Sequence, residues 1–385
     1  MPATRYRLYF DDKPATRKQL DSVEEITVEQ EIDMAWEARL QIPVRVDDKG
    51  NWKDENKEFM RPFSRVRAEV RIGDKPYVPL IDGPIVAPYN NKNPEPGQSS
   101  ITLVVRDDSV YLNRKEEIAR FEKQPDHQIA EQLFKAAKFR GVPRIPVREI
   151  EPTPPRIGTL PSILFQRGTA MQMLRLLAQS QGMHAYVLPG SSPGQSIGCF
   201  KRFSTSPAGL PPLTLLGKDR NMEAFNVTND AESPSRFQAF FLDVVDKTVL
   251  PRPSVPSTSN FRDLELLGSK QTFDFAEEDT ATRIAPPGPG STVATDRRVA
   301  AEAERASYAF EATGSVLPGC YPAVLQPYRT VCVQAINDQL SGNYMIRRVT
   351  HTLTRSRYSQ AFTLIRNARS DGVGNASNDP IGKMF

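Results

Sequence analysis

Residues 341–370 read SGNYMIRRVTHTLTRSRYSQAFTLIRNARS, and they contain six arginines, one histidine and no acidic residue. Apolar and polar residues nevertheless alternate along both arms of this stretch, as they do in β-strands with one buried face. The stretch therefore has two interpretations. It is a basic ribbon that binds nucleic acid, or it is one hairpin of a structural β-sheet.

The charge balance of the whole chain favours the structural hairpin. The 50 basic and 46 acidic residues leave a formal net charge of only +4, whereas a general nucleic-acid binder concentrates a larger basic excess on one face. The length of 385 residues suffices for two or three domains. The 33 prolines outnumber the 22 glycines, which predicts many connections and few long helices.

Cysteine usage and the N-terminus predict a protein that is made in the cytoplasm. Cys199, Cys320 and Cys332 form no CxxC pair, and we expect them to be reduced. The first ten residues, MPATRYRLYF, lack the apolar stretch of a signal peptide. Because no apolar run approaches the length of a membrane span, we expect no membrane insertion.

Residues 1–110 repeat the strand pattern of residues 341–370, which we call the basic ribbon. A period of two gives each strand one dry face and one wet face, which suits a closed barrel or a sandwich. In residues 65–72, for example, arginines and a glutamate occupy the expected wet face. The alternating apolar positions are Ile26, Val28, Ile32, Met34, Trp36, Ala38, Leu40, Ile42, Val66, Ala68, Val70, Ile72, Ile101, Leu103 and Val105.

The middle of the chain predicts a small α+β insert. Asp126 can cap a helix over 127–140 that Gly141 ends. Thr169 can cap a second helix that ends at Gly182, and the strand HAYVL at 184–188 follows it. The Pro-rich piece between the two helices must be extended, because proline and the residue before it avoid helix.

From residue 236 the chain returns to strand chemistry, in 236–250, in 328–336 and in the basic ribbon. Pro-rich stretches at 251–260 and 285–292 predict loops, and an Ala-rich stretch predicts a helix over 295–310. We therefore predict a mainly β, α+β fold with two related antiparallel β-barrel domains and an α+β insert between them. The predicted bounds are 1–112 for the first barrel, 113–230 for the insert, 231–375 for the second barrel with long Pro-rich loops at 251–292, and 376–385 for a flexible tail.

A faint repeat supports the two-barrel hypothesis. SSITLVVRDDS at 99–109 and QAFTLIRNARS at 360–370 share the order apolar, Thr, Leu, apolar, and then Arg with a short Asx residue. Each stretch closes a β-rich region, so the chain is predicted to carry two copies of one module.

Residues that carry chemistry are few. His127 and Glu131 lie one helical turn apart, but no further His or Cys stands nearby in the sequence to complete a metal site. We interpret them as a surface helix pair, His184 as a packed strand residue and His351 as a satisfied structural histidine. No GxSxG, P-loop, GxGxxG or HExxH motif occurs. We therefore expect no enzyme activity, no metal and no cofactor.

The order of several motifs resembles the phage late-control D family, the baseplate hub proteins of contractile tails and the hub portion of VgrG-like proteins. In residues 312–368 a Leu-Pro-Gly connection leads to LQPYR, then to SGNY, a strand ending in VTH and a closing FTLIRN strand. ILFQRGTAMQMLRLLAQSQGMHAYV at 163–187 and RDDSVYLNR at 106–114 resemble the helical insert of such hubs and the strand end that leads into it.

This resemblance implies a homotrimeric ring with two tube-like modules per chain, joining a hexameric inner tube to a trimeric spike and contacting baseplate wedge proteins. Three chains with two similar modules each present six nearly equivalent units, which answers the mismatch between sixfold and threefold symmetry. Because the chain ends at Phe385 without a β-helical domain, the spike is expected to be a separate polypeptide. We expect assembly into a virion or an injection-system baseplate.

Arg347, Arg348, Arg355 and Arg357 are the candidate interface residues. We expect Arg347 and Arg348 on opposite strand faces, where they can contact the tube or the acidic strand 24–33 of a neighbouring subunit. Lining of the ring lumen and an unengaged solvated face are the alternatives. The rival function is a nucleic-acid-binding β-protein that uses the 347–369 hairpin, with Tyr358 as the residue that stacks on bases. A third class, a cupin-like or hydrolytic enzyme, would need a metal or a triad.

Overall fold

The computed structural model describes residues 4–47, 49, 52–53, 57–95, 97–155, 163–204, 207, 209–230, 232, 235–243, 246–252, 255–256, 270–271, 281–286 and 292–369. Within these residues the chain is mainly antiparallel β-structure with four α-helices, which confirms the predicted mainly β, α+β class. The predicted tail at 376–385 and much of the Pro-rich segment 251–292 lie outside the described residues.

The first β-region forms one half of a large sheet. Its strands are β1 (Thr4–Phe10), β2 (Lys13–Pro14), β3 (Glu25–Glu31), β4 (Glu37–Pro43), β5 (Arg45–Val46), β6 (Trp52–Lys53), β7 (Arg65–Ile72), β8 (Val78–Asn91) and β9 (Ser100–Arg106). A short helix, α1 (Arg17–Ser22), begins with a capping box between Thr16 and Gln19. The strands pair in the order β3-β4-β9-β8-β7-β1-β2, and we call β1, β3, β4, β7, β8 and β9 the first sheet half.

The insert has its own core of two helices against a three-stranded sheet. Its elements are β10 (Glu116–Glu122), α2 (Asp126–Ala136), β11 (Lys138–Phe139), β12 (Val142–Pro143), β13 (Val147–Ile150), β14 (Ile163–Thr169), α3 (Ala170–Ser180), β15 (His184–Pro189) and β16 (Ser196–Lys201). Phe134, Leu174 and Phe200 are fully buried between the helices and the β13-β16-β15 sheet. As predicted, Thr169 caps α3, where its hydroxyl accepts a hydrogen bond from the Gln172 N–H at 3.2 Å.

Helix α2 is shorter than predicted. It ends at Ala136 rather than near residue 140, because β11 and β12 form a tight hairpin directly after it. Arg140 and Gly141 both have positive φ, at 51° and 82°, which is the backbone of the two-residue turns that join such strands. Phe139 is held in the hairpin by Tyr111, whose ring centroid lies 5.2 Å away.

The second β-region forms the other half of the sheet. Its elements are β17 (Leu213–Thr214), β18 (Met222–Asn229), β19 (Ser235–Gln238), β20 (Phe240–Asp243), β21 (Thr248–Pro251), β22 (Val255–Pro256), β23 (Lys270–Gln271), β24 (Ala281–Ile284), α4 (Thr292–Ala306), β25 (Phe310–Val316), β26 (Thr330–Gln334), β27 (Gly342–Thr354), β28 (Tyr358–Arg366) and β29 (Ala368–Arg369). We call β17, β18 and β25 to β28 the second sheet half.

Two predicted boundaries differ from this arrangement. Strands β17 and β18 lie inside the predicted insert 113–230, yet they pair with β26 and β25 of the second sheet half. Helix α4 begins at Thr292 and ends at Ala306, because Phe310, the expected helix end, starts β25. In both cases the local sequence pattern gives the element type, and long-range pairing sets its bounds.

The two halves share one sheet of thirteen strands instead of forming two separately closed barrels. The pairing path runs β18-β25-β28-β27-β3-β4-β9-β8-β7-β1-β2, and no pair among the described strands joins its ends. The halves meet at an antiparallel pair of seven residues from each strand, from Arg348 opposite Glu31 to Thr354 opposite Glu25. We call this β3–β27 pair the seam. It forms because β27 extends beyond β26 and offers β3 a second partner.

The two halves repeat the same strand order. The order β3-β4-β9-β8-β7 in the first half matches β18-β25-β28-β27-β26 in the second. Strands β8 and β27 are both long, and each pairs with the preceding strand over its first part and with the following strand over its second part. Each also carries a bulge at the changeover, between Ile85 and Ala87 in β8 and between Ile346 and Arg348 in β27. These matches support one module used twice.

A second match lies at the start of the module. Phe63 and Tyr328 each follow a proline and adopt positive φ, at 65° and 62°, which is rare for aromatic residues. The next residue then accepts a hydrogen bond from the bulged strand. Ile85 N–H donates to the Ser64 carbonyl at 2.9 Å, and Ile346 N–H donates to the Arg329 carbonyl at 2.8 Å. RPFS and QPYR are therefore the same structural element.

The repeat predicted from the sequence joins the correct two strands, β9 and β28, but with a shift of two residues. Ile85 pairs with Val105, and its equivalent Ile346 pairs with Leu364. Leu103 is therefore equivalent to Phe362, whereas the sequence comparison matches it with Leu364. The period of two explains why both alignments place the same kind of residue on each face.

Candidate functional site

His351 lies at the centre of the seam and is fully buried. Its Nδ1 accepts a hydrogen bond from the Tyr358 hydroxyl at 2.8 Å, and its Nε2–H donates to Gln30 Oε1 at 3.2 Å. This tautomer follows from Gln30, whose amide nitrogen donates to the Leu80 carbonyl at 2.7 Å and leaves the amide oxygen to accept. Burial lowers the pKa of His351 to about 3. His351 is the satisfied structural histidine that the sequence predicts.

Arg347 and Arg348 lie at one end of the seam and pair with carboxylates of their own chain. Arg347 lies 2.7 Å from Glu311 and 3.6 Å from Glu31, and Arg348 lies 3.0 Å from Glu29. The acidic strand 24–33 is the predicted partner of these arginines, but in this structure it belongs to the same subunit. The pairs with Glu29 and Glu31 are a consequence of the β3–β27 register, whereas Glu311 lies on β25.

Arg355 and Arg357 lie at the exposed tip of the β27–β28 hairpin. The Arg355 guanidinium donates to the Asp21 carbonyl at 2.5 Å. The Arg357 backbone N–H donates to the Thr354 hydroxyl at 3.1 Å and closes the turn. The structure therefore divides the four predicted interface residues into two pairs, one at the seam and one at the hairpin tip. Their contact with a neighbour or a tube remains a prediction.

We expect Arg348→Ala to change the free energy of unfolding of the isolated chain by less than about 1 kcal/mol, because both partners in its ion pair with Glu29 are more than two-fifths exposed. Urea unfolding of the wild type and the variant at one protein concentration measures this. A loss above about 2 kcal/mol would contradict the assignment of a weak surface pair.

Several residues of the basic ribbon already bond or stack within the chain. The Tyr358 ring, the predicted stacking residue, lies parallel to the His351 ring at a centroid distance of 5.9 Å. Arg366 is 1 % exposed, and its guanidinium donates to the Gln339 and Ser341 carbonyls at 3.3 and 3.1 Å. With Arg347 and Arg348 in ion pairs, these arginines do not form one continuous phosphate-binding strip.

A cluster of buried charges, which the alternating sequence pattern does not predict, joins the first sheet half to the insert. Arg65 donates to both carboxylate oxygens of Asp108 at 2.8 Å and to Asp82 at 2.7 Å. Arg67 donates to Glu69 at 2.7 Å and to Asp82 at 2.9 Å. All five side chains are buried. The expected wet face of β7 is therefore covered.

The insert supplies the cover and shares the hydrogen bonds. The Ser196 hydroxyl donates to Asp108 at 2.7 Å, and the Gly194 N–H donates to Asp82 at 3.1 Å. Burial alone would lower the pKa of Arg65, but the surrounding carboxylates, Asp108 foremost, together outweigh burial and raise that pKa, so the guanidinium stays charged. The cluster fixes the orientation of the insert on the sheet. In the sequence, only the adjacent Asp107 and Asp108, directly after β9, indicate this cluster.

An aromatic junction joins both sheet halves to the insert. His184 Nδ1 lies 2.9 Å from the Asp33 carboxylate, and the Asp33 N–H donates to the Tyr328 hydroxyl at 2.7 Å. The Tyr328 ring stacks on Tyr186 with centroids 3.6 Å apart. Burial raises the pKa of Asp33, but the hydrogen bond and charge of His184, together with the charges of two nearby arginines, outweigh burial and lower that pKa. His184 therefore pairs with a carboxylate in addition to packing as a strand residue.

A cavity of about 430 Å³ opens beside this junction, lined by residues that include Trp36, Tyr186, Lys201, Phe203 and Tyr328.

His127 and Glu131, the predicted surface pair, both lie on α2 but bond to other residues. His127 bonds to Thr153, and Glu131 pairs with Lys135. Across the described ranges, no three His, Cys, Asp or Glu side chains are grouped as metal ligands. In the same ranges, no helix combines the length and apolar character that crossing a bilayer requires.

No protein-family model matches the chain, and no curated protein matches it. The resemblance to the late-control D family therefore stays a prediction. Solved structures do match. The 43 kDa tail protein of prophage MuSo2 from Shewanella oneidensis is 16 % identical with a TM-score of 0.63, and the match covers 95 % of this chain and 99 % of that protein.

Two further structures agree. The tail protein from Neisseria meningitidis MC58 is 16 % identical with a TM-score of 0.59, covering 96 % of this chain and 97 % of that one. The E. coli c3393 protein, a component of the type VI secretion system similar to the T4 bacteriophage tail proteins gp27 and gp5, is 12 % identical with a TM-score of 0.52, covering 94 % of this chain and 76 % of that one. This chain therefore has the fold of the Shewanella and Neisseria tail proteins over nearly its whole length.

Proposed function

We propose that this chain is a structural baseplate hub of a phage tail or a contractile injection system. Three copies form a ring that joins a hexameric inner tube to a separate trimeric spike, with baseplate wedge proteins around it. The observation that carries the proposal is the internal repeat of the two sheet halves, with the same strand order, the same bulge and the same aromatic turn. Six quasi-equivalent modules from three chains are what a threefold to sixfold adaptor requires.

Two further observations support a role as a tail component. The fold likeness extends over almost the full length of both tail proteins rather than over one common module. The insert is locked to the sheet by the Arg65 cluster and the Asp33–His184 junction, so the chain is suited to hold two kinds of surface in a fixed orientation. Such a protein is made in the cytoplasm and assembled into the particle.

The proposed role is non-enzymatic and needs no metal or cofactor. Two of the groups with strongly shifted pKa values support this, because they bond to the fold itself. His351 bonds to Gln30 and Tyr358, and Arg65 bonds to Asp82 and Asp108. Catalytic groups are instead turned toward a cavity where a substrate can reach them. Stable binding of nucleic acid and insertion into a membrane are not part of the role.

Light scattering of the purified full-length chain tests the proposal. We expect a mass of three chains, and co-expression with the inner-tube protein of the same particle is expected to yield a complex that survives gel filtration. A chain that stays monomeric alone and with its tube protein would refute the hub. Tight DNA binding that collapses between about 50 and 200 mM salt would favour the rival nucleic-acid function instead.

A further inference from the structure

Among the described strands of the sheet, the unpaired edges include those of β18 and of the outer half of β8. Strand β18 bonds to β25 on one side, and among the described strands none lies on its other side. The outer half of β8, from Ala87 to Asn91, bonds to β9 on one side only. Both edges are largely exposed, and Tyr89 on β8 is 64 % exposed. An unpaired edge offers a row of backbone donors and acceptors to another strand.

The internal repeat indicates what these two edges bind. By strand order β8 is the equivalent of β27, and β18 is the equivalent of β3. Within the chain, β27 and β3 pair with each other at the seam. The same two kinds of edge are therefore present a second time, with no partner in their own chain.

We propose that the outer half of β8 in one copy pairs antiparallel with β18 of a second copy, and that this repeats the seam between subunits. The inference rests on the proposed function, because the trimeric ring is what brings the two edges together. Each chain would then contribute one internal seam and one half of each of two intermolecular seams. A head-to-tail contact of this kind closes into a ring when its rotation permits.

The seam also sets the register. Ala87 follows the β8 bulge as Arg348 follows the β27 bulge, and Arg348 lies opposite Glu31. Val28 lies opposite Ala38 in β4, and its equivalent Val227 lies opposite Ala312 in β25, so Glu31 corresponds to Asp230. These correspondences place Ala87 of one copy opposite Asp230 of the next, Tyr89 opposite Thr228 and Asn91 opposite Asn226.

The direction of the backbone groups agrees with this register. At the seam the Arg347 carbonyl accepts a hydrogen bond from the Ile32 N–H at 3.0 Å. Every second residue of an antiparallel strand bonds to the same neighbour, so residues 349, 351 and 353 also turn their backbone N–H and C=O groups toward β3. The equivalent residues of β8 are Pro88 and Asn90. Proline has no N–H to pair, so it fits an edge position and shortens the ladder by one bond. The edge is accessible but short, which limits pairing with unrelated strands.

The side chains suit contact between identical copies. Pro88 to Asn91 carry no charge, and neither do Ala224 to Asn229 on β18. Two copies therefore meet without like charges directly opposite each other, which would weaken the pair. The internal seam instead places Arg348 beside Glu29. The equivalent of Glu29 on β18 is the uncharged Thr228, so β18 suits the uncharged β8 edge rather than a strand that carries an arginine.

A cysteine pair tests the proposed register. Tyr89 and Thr228 are predicted to form a non-hydrogen-bonded pair with Cα atoms about 4.5 Å apart, within the span of a disulfide. We expect Y89C with T228C, in a C320S background that removes the exposed native thiol, to give covalently closed trimers on mild oxidation. The matched control is Y89C with V227C, which turns the second thiol to the opposite face of the sheet. It is expected to give few or none.

The outcomes separate this inference from the proposed function. Trimers by light scattering without a cross-link in Y89C/T228C would overturn the edge pairing and leave the hub standing. A monomeric mass at every concentration would overturn both. Equal cross-linking in the control pair would overturn the register.

A charge test covers the case in which the thiols do not oxidise. Y89K with T228K places like charges opposite each other in the proposed pair, and we expect the trimer to dissociate. Y89K with T228E has opposite charges at the same positions, and we expect it to stay trimeric. Equal masses for the two double variants would contradict the pairing, because both change the same exposed sites.

Discussion

Replacing Arg65 with alanine is expected to lower the free energy of unfolding by about 3–5 kcal/mol. Arg65 is 5 % exposed and holds Asp108 through two hydrogen bonds and Asp82 through a third. Its removal leaves two buried carboxylates beside each other, with Arg67 as the remaining cation that touches Asp82. A buried charge that loses its partner costs far more than the intact pair contributes.

Urea unfolding measures this loss, with Trp36, which is buried in the core of the first sheet half, as the fluorescence reporter. All variants are compared at one protein concentration, because an oligomer gains stability with concentration. Arg61→Ala is the matched control, since Arg61 is an exposed arginine in a long ion pair with Glu58 at 3.8 Å, and its loss is expected to stay below about 1 kcal/mol. Equal effects of the two substitutions would show that the buried cluster does not hold the insert.

Arg65→Lys separates charge from geometry. Lysine keeps the positive charge, but an ammonium group cannot donate to both Asp108 oxygens in the planar arrangement of a guanidinium. We therefore expect a stability between those of the wild type and Arg65→Ala. A lysine variant as stable as the wild type would mean that the cluster needs only a cation.

The Arg65 cluster marks the limit of what the alternating pattern could predict. In β7 the period of two correctly predicts the strand and the inward face of Val66, Ala68 and Val70. It also assigns Arg65 and Arg67 to water, because a period describes which residues share a face and not what covers it. The cover comes from Ser191 to Ser196, more than a hundred residues away in the sequence. Long-range packing of this kind leaves no local signal.

The repeat was predictable in kind but not in register. The strand motifs around Leu103 and Leu364 are similar enough to indicate two related modules. The features that fix the alignment are the bulges of β8 and β27 and the positive φ of Phe63 and Tyr328. A bulge has no fixed sequence, and RPFS and QPYR share only a proline and an aromatic residue. The pairing of β3 with β27 was likewise invisible, because the sequence predicts the acidic strand 24–33 only as a partner from a neighbouring subunit, whereas in this structure it pairs with Arg347 and Arg348 of the same chain.

Acid is expected to weaken the seam through His351. Its folded-state pKa of about 3 lies below the ordinary value of 6.5, because burial disfavours the charged ring. As the pH falls below 6.5 the unfolded chain binds a proton that the folded chain does not, so stability is complete above 6.5 and is lost toward pH 3. Each pH unit costs about 1.4 kcal/mol, so this residue alone should remove about 2–3 kcal/mol between pH 7 and pH 4.5.

His351→Gln isolates this contribution, because glutamine can bond to Gln30 and Tyr358 but does not titrate. We expect the variant to be less stable than the wild type at pH 7, and the gap to narrow by about 2–3 kcal/mol at pH 4.5. Tyr358→Phe is the control, since it removes the hydrogen bond to Nδ1 and keeps the imidazole. It should lower stability by about 1 kcal/mol at both pH values and leave the slope unchanged.

Acid is expected to act differently on the internal seam and on the proposed contact between subunits. His351 lies in the seam that serves as the template for the contact between subunits, and its place in β8 is taken by Asn90, which has no proton to gain. Acid should therefore loosen the internal seam before the contact between copies. Light scattering at about pH 4.5 is expected to retain the trimer while the unfolding midpoint falls. Dissociation into folded monomers at that pH would instead place a titrating group in the contact between subunits.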